Sequence, residues 1–346
     1  MNELQFLVGL PPRQAITLLR RYSFKPGTEA LRRIGQILFV GQLAQWAGRR
    51  RGGPVFPKGD DAGRPPPAFI VGHWRSGTSL LQQLLSHDPR FRTPRYLECA
   101  FPHYDDLRAW FVQRMASKLP ATRGFDAFPL HLDAAFEDEF ALLKLTLESP
   151  MLAYAFPEHA PRFWQAFFRD EPSPAWRRAL RDLVARHTGT GGMPLLKSPT
   201  HAFRIPALHR MFPDAFFIDI RRDPVETLRS SCALEQHLLD NNSLQGAHVA
   251  DENLVRERME RHRQCVRNAR AMLLANRFVE IELDALQTEP RRVLDALCRQ
   301  LGMDGFRPRD ESFLQMVDDL RRHRRQWNDS SNTNRERAEQ SASKVA

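Results

Sequence analysis

Short apolar runs alternate with helix-like segments along most of this chain. Residues 69–71 and 215–220 are nearly uninterrupted apolar runs, as expected for strands that are buried on both faces. Each run is followed by a segment in which apolar residues recur every three or four positions, which indicates a helix. Residues 195–196 and 278–283 repeat the strand signal. Strands that alternate with helices predict an α/β fold with a doubly wound parallel sheet flanked by helices.

The first 55 residues have helical spacing and form a predicted N-terminal helical extension. In its second segment, Thr28 to Trp46, we expect an apolar face to pack against the main domain, with contact to a membrane surface as the alternative. The residues of this face are Leu31, Ile34, Leu38, Phe39 and Leu43. Residues 66–315 are the predicted α/β domain, and the polar residues 320–346 predict a disordered tail.

A turn with two glycines follows the first strand and leads into a helix. The first N–H groups of such a helix have no partner within it, and together with the helix dipole they bind a phosphate or sulfate well. Thr78 and Ser79 add hydroxyl donors, and Arg75 adds a planar cation that can bind two oxyanion oxygens. The turn therefore predicts an anion site.

The same turn has nearly the spacing of a nucleotide-triphosphate loop, G-x-x-x-x-G-K-[ST]. Gly72, Gly77 and Ser79 stand at the required positions, but Thr78 replaces the lysine that reaches the β- and γ-phosphates. The loss of this cation makes a metal-dependent kinase or NTPase the alternative rather than the first hypothesis.

A second cationic position follows the strand 215–220. Arg221 and Arg222 stand directly after its apolar residues, next to Asp219. The acid could be a magnesium ligand, but two adjacent guanidinium groups suit a second phosphate better. Ligands of doubly wound sheets bind beyond the carboxyl ends of the strands, where Arg75 also lies. We therefore expect a bipartite anion site without a metal.

The segment Trp74 to Leu81 resembles the 5′-phosphosulfate loop of the sulfotransferases, which use 3′-phosphoadenosine 5′-phosphosulfate (PAPS). Arg222-Asp223-Pro224 with Ser230 is similar to their 3′-phosphate motif. Other segments resemble a bacterial branch that is closer to the tyrosylprotein and carbohydrate enzymes than to the cytosolic phenol enzymes. These segments are His73–Arg75, Glu137–Phe140 and Leu196–Thr200. The resemblance covers residues 66–305 and implies a P-loop-like fold and a PAPS-dependent sulfotransferase.

The resemblance also implies a role for single residues. Those expected to hold the 5′-phosphosulfate are Arg75, Ser76, Gly77, Thr78, Ser79 and Leu80. Arg222 and Ser230 are expected to hold the 3′-phosphate. Arg75 and Lys197 are expected to stabilise charge on the group in transfer, by a metal-free in-line displacement.

The catalytic base is less narrowly defined. Glu98 follows the loop arginine at about the distance found for the glutamate base of the tyrosylprotein enzymes, and His103 is the competing candidate. The role of the acidic cluster Glu137-Asp138-Glu139 is open as well. Its members could supply the base, bind the acceptor, cap a helix or pair with arginines.

Composition adds a third hypothesis. The formal charge of +10 is compatible with a non-catalytic protein that binds a polyanion, and six lysines leave 45 of the 51 basic residues as arginine. These arginines are spread along the whole chain rather than collected in a stripe, so we expect no nucleic-acid partner. The expected acceptor is a small molecule, a lipid or a glycan, and no feature of the sequence defines an oligomeric state.

The four cysteines show no metal-binding or disulfide pattern, which predicts reduced thiols. No signal peptide and no apolar run of about 20 residues is found. The sequence therefore predicts a cytoplasmic protein, with peripheral membrane contact through the N-terminal helices as an open alternative.

Overall fold

The computed structural model describes residues 5–22, 26–50, 65–123, 128–169, 171–188, 191–310 and 312–319. The predicted tail 320–346 and most of the linker before the first strand of the sheet lie outside these residues. The strands are β1 (Gly48–Arg50), β2 (Ala68–Ile70), β3 (Phe91–Arg92), β4 (Tyr104–Leu107), β5 (Met193–Lys197), β6 (Phe216–Arg221) and β7 (Phe278–Glu282).

Helices connect and flank these strands. In chain order they are α1 (Pro12–Arg21), α2 (Thr28–Ala47), α3 (Thr78–Leu85), α4 (Tyr96–Ala100), α5 (Ala109–Ala116), α6 (Glu139–Thr146), α7 (Leu152–Ala155), α8 (Ala160–Arg169), α9 (Pro174–Thr188), α10 (Ile205–Met211), α11 (Pro224–Asn242), α12 (Glu252–Met272), α13 (Leu283–Thr288) and α14 (Pro290–Gln300). Residues 312–319 are also helical. Short 3₁₀ turns occur at Pro157–His159, Pro199–Arg204 and Ala275–Arg277.

Five of the described strands form a parallel sheet in the order β3-β5-β2-β6-β7. The chain leaves the central strand β2 toward β3 and β5, and then crosses to β6 and β7 on the other side. The carboxyl ends of β2, β5 and β6 therefore lie side by side, where ligands of such sheets bind. This topology confirms the predicted doubly wound fold.

Helices cover both faces of the sheet. Ala68 and Ile70 of β2 pack with the apolar residues of α3, α13 and α14. Phe69 and Val71 point the other way, into a core that they share with α6, α9, α10 and α12. Because every strand in the middle of the sheet is covered twice, its sequence is a continuous apolar run.

The N-terminal helices pack on the α/β domain through part of the face that the spacing predicted. Ile34, Leu38 and Leu43 are partly buried against the core, whereas Leu31 and Phe39 are exposed. The buried face is rotated from the predicted one, because α2 makes its closest contact through small residues. A Cβ on Gly41, for example, would lie 2.2 Å from a backbone oxygen of α1's preceding loop.

The sequence did not predict the strand β1. It follows α2 directly and pairs antiparallel with β4, so the N-terminal extension is not purely helical.

In the part of the chain that the structure describes, no helix is both long enough and apolar enough to cross a bilayer.

Candidate active site

The turn between β2 and α3 projects from the carboxyl end of the central strand. Ser76 closes the turn, because its N–H and its hydroxyl both donate to the carbonyl of His73, at 3.1 and 2.7 Å. The N–H of Leu81 makes the first bond of the helical ladder, to Gly77 O at 3.0 Å. The N–H groups of residues 77–80 therefore precede that ladder, as the predicted anion site requires.

The shape of this turn depends on tight contacts and an unusual backbone. A Cβ on Gly72 would lie 2.8 Å from the carbonyl oxygen of Ile220, and one on Gly77 would lie 2.6 Å from the side chain of Leu283. Gly77 has φ +103°, which glycine tolerates, but Arg75 also lies in the left-handed region with φ +66°. Non-glycine residues in this region are strained, and such strain gathers at functional sites.

Arg75, Arg222 and Ser230 lie in direct contact. The Nε of Arg75 donates to Ser230 Oγ at 2.8 Å, and Arg222 donates to the backbone carbonyl of Arg75 at 3.1 Å. Arg222 also binds Glu226 through two of its nitrogens, at 3.1 and 3.0 Å. The tertiary structure thus joins two sequence motifs that are about 150 residues apart.

The start of α11 explains the spacing between Arg222 and Ser230. Asp223 caps the helix, since its carboxylate accepts the N–H of Glu226 at 2.9 Å, and Pro224 occupies the first turn. The helix therefore begins immediately after β6 and carries Ser230 back toward the loop.

Arg221, the last residue of β6, points away from the loop. It binds Glu280 on the neighbouring strand β7 and lies 3.4 Å from Asp219. A contribution of Arg221 to a phosphate site stays a prediction, since its guanidinium is paired with acids here. Asp219, the residue weighed as a magnesium ligand, is buried within β6 beside this ion pair.

Lys197 lies at the end of β5, next to the central strand. Its buried ammonium group donates to Glu137 at 2.7 Å, and the hydroxyl of Ser198 donates to the other oxygen of the same carboxylate at 3.0 Å. Lys197 therefore stands at the predicted strand end, with its charge balanced by a carboxylate that comes from the segment before α6.

The remaining acids of this cluster are fully buried. Asp138 accepts the backbone N–H of Lys197 at 2.9 Å and binds Nε2 of His201 at 2.6 Å. Glu139 accepts the hydroxyl of Thr200 at 2.7 Å. The described hydrogen-bond partners of the cluster are thus a lysine, hydroxyls and a histidine, and not the arginines that were one of the alternatives.

Burial and neighbouring charges shift the pKa values of His201 and Glu139 in opposite directions. Burial alone disfavours the imidazolium of His201, but the adjacent Asp138 carboxylate outweighs it, so the pKa of His201 is raised. Burial raises the pKa of Glu139, and the charge of Arg204 only partly opposes this effect.

Both candidate bases lie in α4 or just after it. Glu98 closes the start of α4, because its carboxylate accepts the N–H of Arg95 at 2.9 Å, and it lies 3.8 Å from His187. His103 follows α4 and donates from Nε2 to the carbonyl of Lys144 at 3.1 Å. The described hydrogen bonds of both side chains therefore go to backbone groups.

Several contacts of the loop were not predicted from the sequence. His262 Nε2 donates to the carbonyl of Val71 at 2.8 Å, and Arg123 donates to Ser79 Oγ at 3.2 Å. Burial lowers the pKa of His262, which keeps its imidazole neutral in this role. No pattern near the turn indicates these partners, since both come from distant segments that only folding brings close.

An apolar cleft lies between the N-terminal segment and the helices α4, α5 and α6. Its cavity volume is about 30 Å³, and it opens partly to solvent. Its lining residues are Gln5, Phe6, Val8, Tyr96, Cys99, Ala100, Phe101, Met115, Leu119, Phe136, Phe140 and Lys144. Lys144 donates to the carbonyls of Cys99 and Phe140, both at 3.2 Å, and burial lowers its pKa to about 8. Phe136, one of the lining residues, directly precedes Glu137 in the sequence.

Most of the chain matches one known protein family. Residues 66–308 match the sulfotransferase family. The omega-hydroxy-beta-dihydromenaquinone-9 sulfotransferases Stf3 of Mycobacterium bovis and Mycobacterium tuberculosis are 34% identical to this chain over 248 residues. The aligned region covers 70% of this chain, and the chain spans 64% of the length of these relatives.

Solved structures agree on the fold. Sulfotransferase STF1 of Mycobacterium tuberculosis superimposes with a TM-score of 0.63 at 19% identity, over 89% of this chain and 86% of that one. Sulfotransferase STF9 of Mycobacterium avium gives a TM-score of 0.59 at 22% identity, over 76% and 69%. The family match and the mycobacterial Stf3 relatives confirm the resemblance to bacterial sulfotransferases that the loop and the Arg222 motif first indicated. The chain belongs to the sulfotransferase family.

Proposed function

We propose that this protein transfers the sulfuryl group of PAPS to a hydroxyl or amine of its acceptor. The observation that carries the proposal is the contact of Arg75 with Ser230 and Arg222. An ATP loop needs only the first motif, whereas a nucleotide with phosphate groups at both its 5′ and 3′ positions needs two anion sites close together. The joined motifs suit such a nucleotide.

The donor set fits this ligand. Residues 75–80 would hold the 5′-phosphosulfate through N–H groups, hydroxyls and the Arg75 guanidinium, and the first turn of α3 carries no acidic residue. Arg222 and Ser230 would hold the 3′-phosphate. Glu226 is the acid at this place, and a phosphate would compete with its half-exposed carboxylate for the Arg222 guanidinium.

In the proposed reaction the acceptor oxygen or nitrogen forms a bond to sulfur, while the bond from sulfur to the 5′-phosphate oxygen breaks. The cofactor supplies an activated sulfuryl group with a phosphate leaving group. Arg75 and the N–H groups of α3 would stabilise the negative charge that remains on that phosphate. Lys197, held by Glu137, would stabilise the group in transfer.

The proton of the acceptor must go to a base. Glu98 remains the first candidate and His103 the second, and Glu137 represents the acidic cluster because it binds Lys197 directly. Substitution of each by glutamine, with the rate measured against pH, separates them. The base variant should lose the acid limb of the profile, whereas a variant that only positions Lys197 should keep that limb at a lower rate.

We further propose that the acceptor is an apolar alcohol of the lipid class, reached by peripheral contact with a membrane. The cleft supports this proposal, since aromatic and aliphatic side chains form most of its wall. The relatives named for a menaquinone-derived acceptor point the same way. Incubation with PAPS and a panel of hydroxylated isoprenoids, alkyl alcohols and glycans, read by mass spectrometry, tests this class. Sulfonation of glycans alone would contradict it.

Nucleotide binding provides the direct test of the site. Adenosine 3′,5′-bisphosphate should raise the Tm of the wild type and of Arg221→Ala, the matched control, because Arg221 points toward β7. Arg222→Ala should weaken the binding about 10–100-fold, as expected for hydrogen bonds to a charged group. Equal binding by Arg222→Ala would contradict the assignment.

Two other outcomes would favour the alternatives. Stabilisation by ATP with magnesium, but not by the bisphosphate, would support a kinase or NTPase. Binding that fades steeply with salt and ignores the 3′-phosphate would support a polyanion-binding protein.

A further inference from the structure

One side of α2 presents large apolar side chains to solvent. Leu31, Phe39 and Trp46 are 55%, 64% and 63% exposed. They are eight and seven residues apart, about two helical turns each, so all three lie on the same face of the helix. Large exposed apolar residues that line up in this way mark an interaction surface.

The neighbouring helix α5 extends this surface. Trp110, 39% exposed, packs against Trp46 with ring centroids 5.4 Å apart. The guanidinium of Arg108 lies 5.5 Å from the centroid of the Trp46 ring. Indole rings flanked by a cation have an apolar body and a polar edge, which suits the boundary between lipid headgroups and acyl chains. We call Leu31, Phe39, Trp46 and Trp110 the apolar stripe.

The opposite side of α2 is anchored. Val40, Ala44 and Ala47 form a buried cluster with Phe101, Tyr104, Phe111 and Met115. Phe101 and Met115 also line the apolar cleft. The helix therefore separates the apolar stripe from the wall of the cleft, and the stripe is held in place by a packed core.

The helix α2 and the elements packed next to it expose a surplus of positive charge. The described segments 5–22, 26–50 and 101–123 expose eight cationic and three acidic side chains. The cationic residues are Arg13, Arg20, Arg21, Arg32, Arg49, Arg108, Arg114 and Lys118, and the acidic ones are Glu29, Asp105 and Asp106. Such a surplus attracts anionic headgroups, while the apolar residues insert between them.

We propose that the apolar stripe docks this protein on the surface of a bilayer that contains anionic lipids. Leu31, Phe39 and the two tryptophans reach the acyl boundary, and the surrounding arginines contact headgroups. This inference rests on the proposed lipid acceptor, since docking on α2 brings the cleft behind it to the membrane in which such an acceptor resides.

Vesicle flotation tests the docking. The full chain is mixed with vesicles of phosphatidylcholine alone or with phosphatidylglycerol, and the floated fraction is measured. The wild type should float with the anionic vesicles and less with the neutral ones. Phe39→Glu/Trp46→Glu should lower the affinity for the anionic vesicles by about 100-fold, because two large side chains lose their apolar environment.

Matched controls are available elsewhere on the molecule. Val249 and Leu274 are 87% and 72% exposed, so Val249→Glu/Leu274→Glu makes the same chemical change outside the stripe. This control should float like the wild type. Equal loss of flotation by both double variants, or failure of the wild type to float with anionic vesicles, would overturn the docking.

A second measurement separates this proposal from the proposed function. Each variant should keep the wild-type Tm and its shift with adenosine 3′,5′-bisphosphate, because the residues of the apolar stripe take no part in the described contacts of Arg75 with Ser230 and Arg222. A protein that binds the bisphosphate and sulfonates a water-soluble alcohol, yet ignores vesicles, contradicts only the docking. One that floats but shows no response to the bisphosphate contradicts the proposed function.

Discussion

Two charged regions meet at the carboxyl ends of the sheet, and they use charge differently. Around Arg75 the structure gathers guanidinium groups, hydroxyls and the N–H groups of α3, with Glu226 as the acid in contact. Around Asp138 each carboxylate has a donor of its own, and the side chains are buried. A surplus of donors suits an anionic ligand, whereas matched donors and acceptors hold a fold together.

Lys197 belongs to both regions. Its strand end places it beside the loop, yet its ammonium is bound to Glu137. The acidic cluster therefore fixes the position of the cation that we expect to act on the group in transfer. Loss of residues around Arg75 should therefore affect binding and rate, whereas loss of residues around Asp138 should affect stability.

Asp138→Ala should produce the largest change, in the stability of the fold. Removal of this carboxylate leaves the fully buried His201 without its partner, and breaking such a pair costs about 3–5 kcal/mol. Denaturant unfolding measures the loss. A change of less than about 1 kcal/mol, the usual scale of exposed pairs, would show that the cluster does not stabilise the fold.

Arg75→Ala should act on rate instead. Removal of one preorganised donor to a developing negative charge lowers kcat by about 10²–10³-fold. The free energy of unfolding should change little, because Arg75 lies in a surface turn with a strained backbone. Sulfuryl transfer from PAPS and denaturant unfolding are measured on the same preparation. A variant that keeps most of its activity would place the anion site elsewhere.

The smallest effect expected is a pH dependence of stability. The pKa of His201 is raised above its ordinary value of 6.5, so its pair with Asp138 stabilises the fold fully below that pH. The contribution is lost as the pH rises through the folded-state pKa. The difference in Tm between the wild type and His201→Gln should therefore shrink from pH 6 toward alkaline pH. A constant difference would indicate that His201 does not titrate with Asp138.

Much of this molecule was readable from local patterns. The apolar runs identified the strands, and their alternation with helices predicted the doubly wound sheet. The turn, the missing loop lysine and the spacing of Arg222 to Ser230 indicated a sulfated nucleotide and a bacterial sulfotransferase. These features lie within stretches of a few residues, where backbone geometry and helix periodicity follow directly from the sequence.

The sequence by itself thus determined the sheet, the turn after β2 and the family. The tertiary structure decided which partners the charges take and which face of α2 is buried. Glu137 to Glu139 bind groups about 60 residues away, and His262 reaches Val71 across 191 positions. Small residues such as Gly41 set the packing of α2, although they contribute little to an apolar pattern. Contacts of this kind depend on how whole layers pack, so no local spacing encodes them.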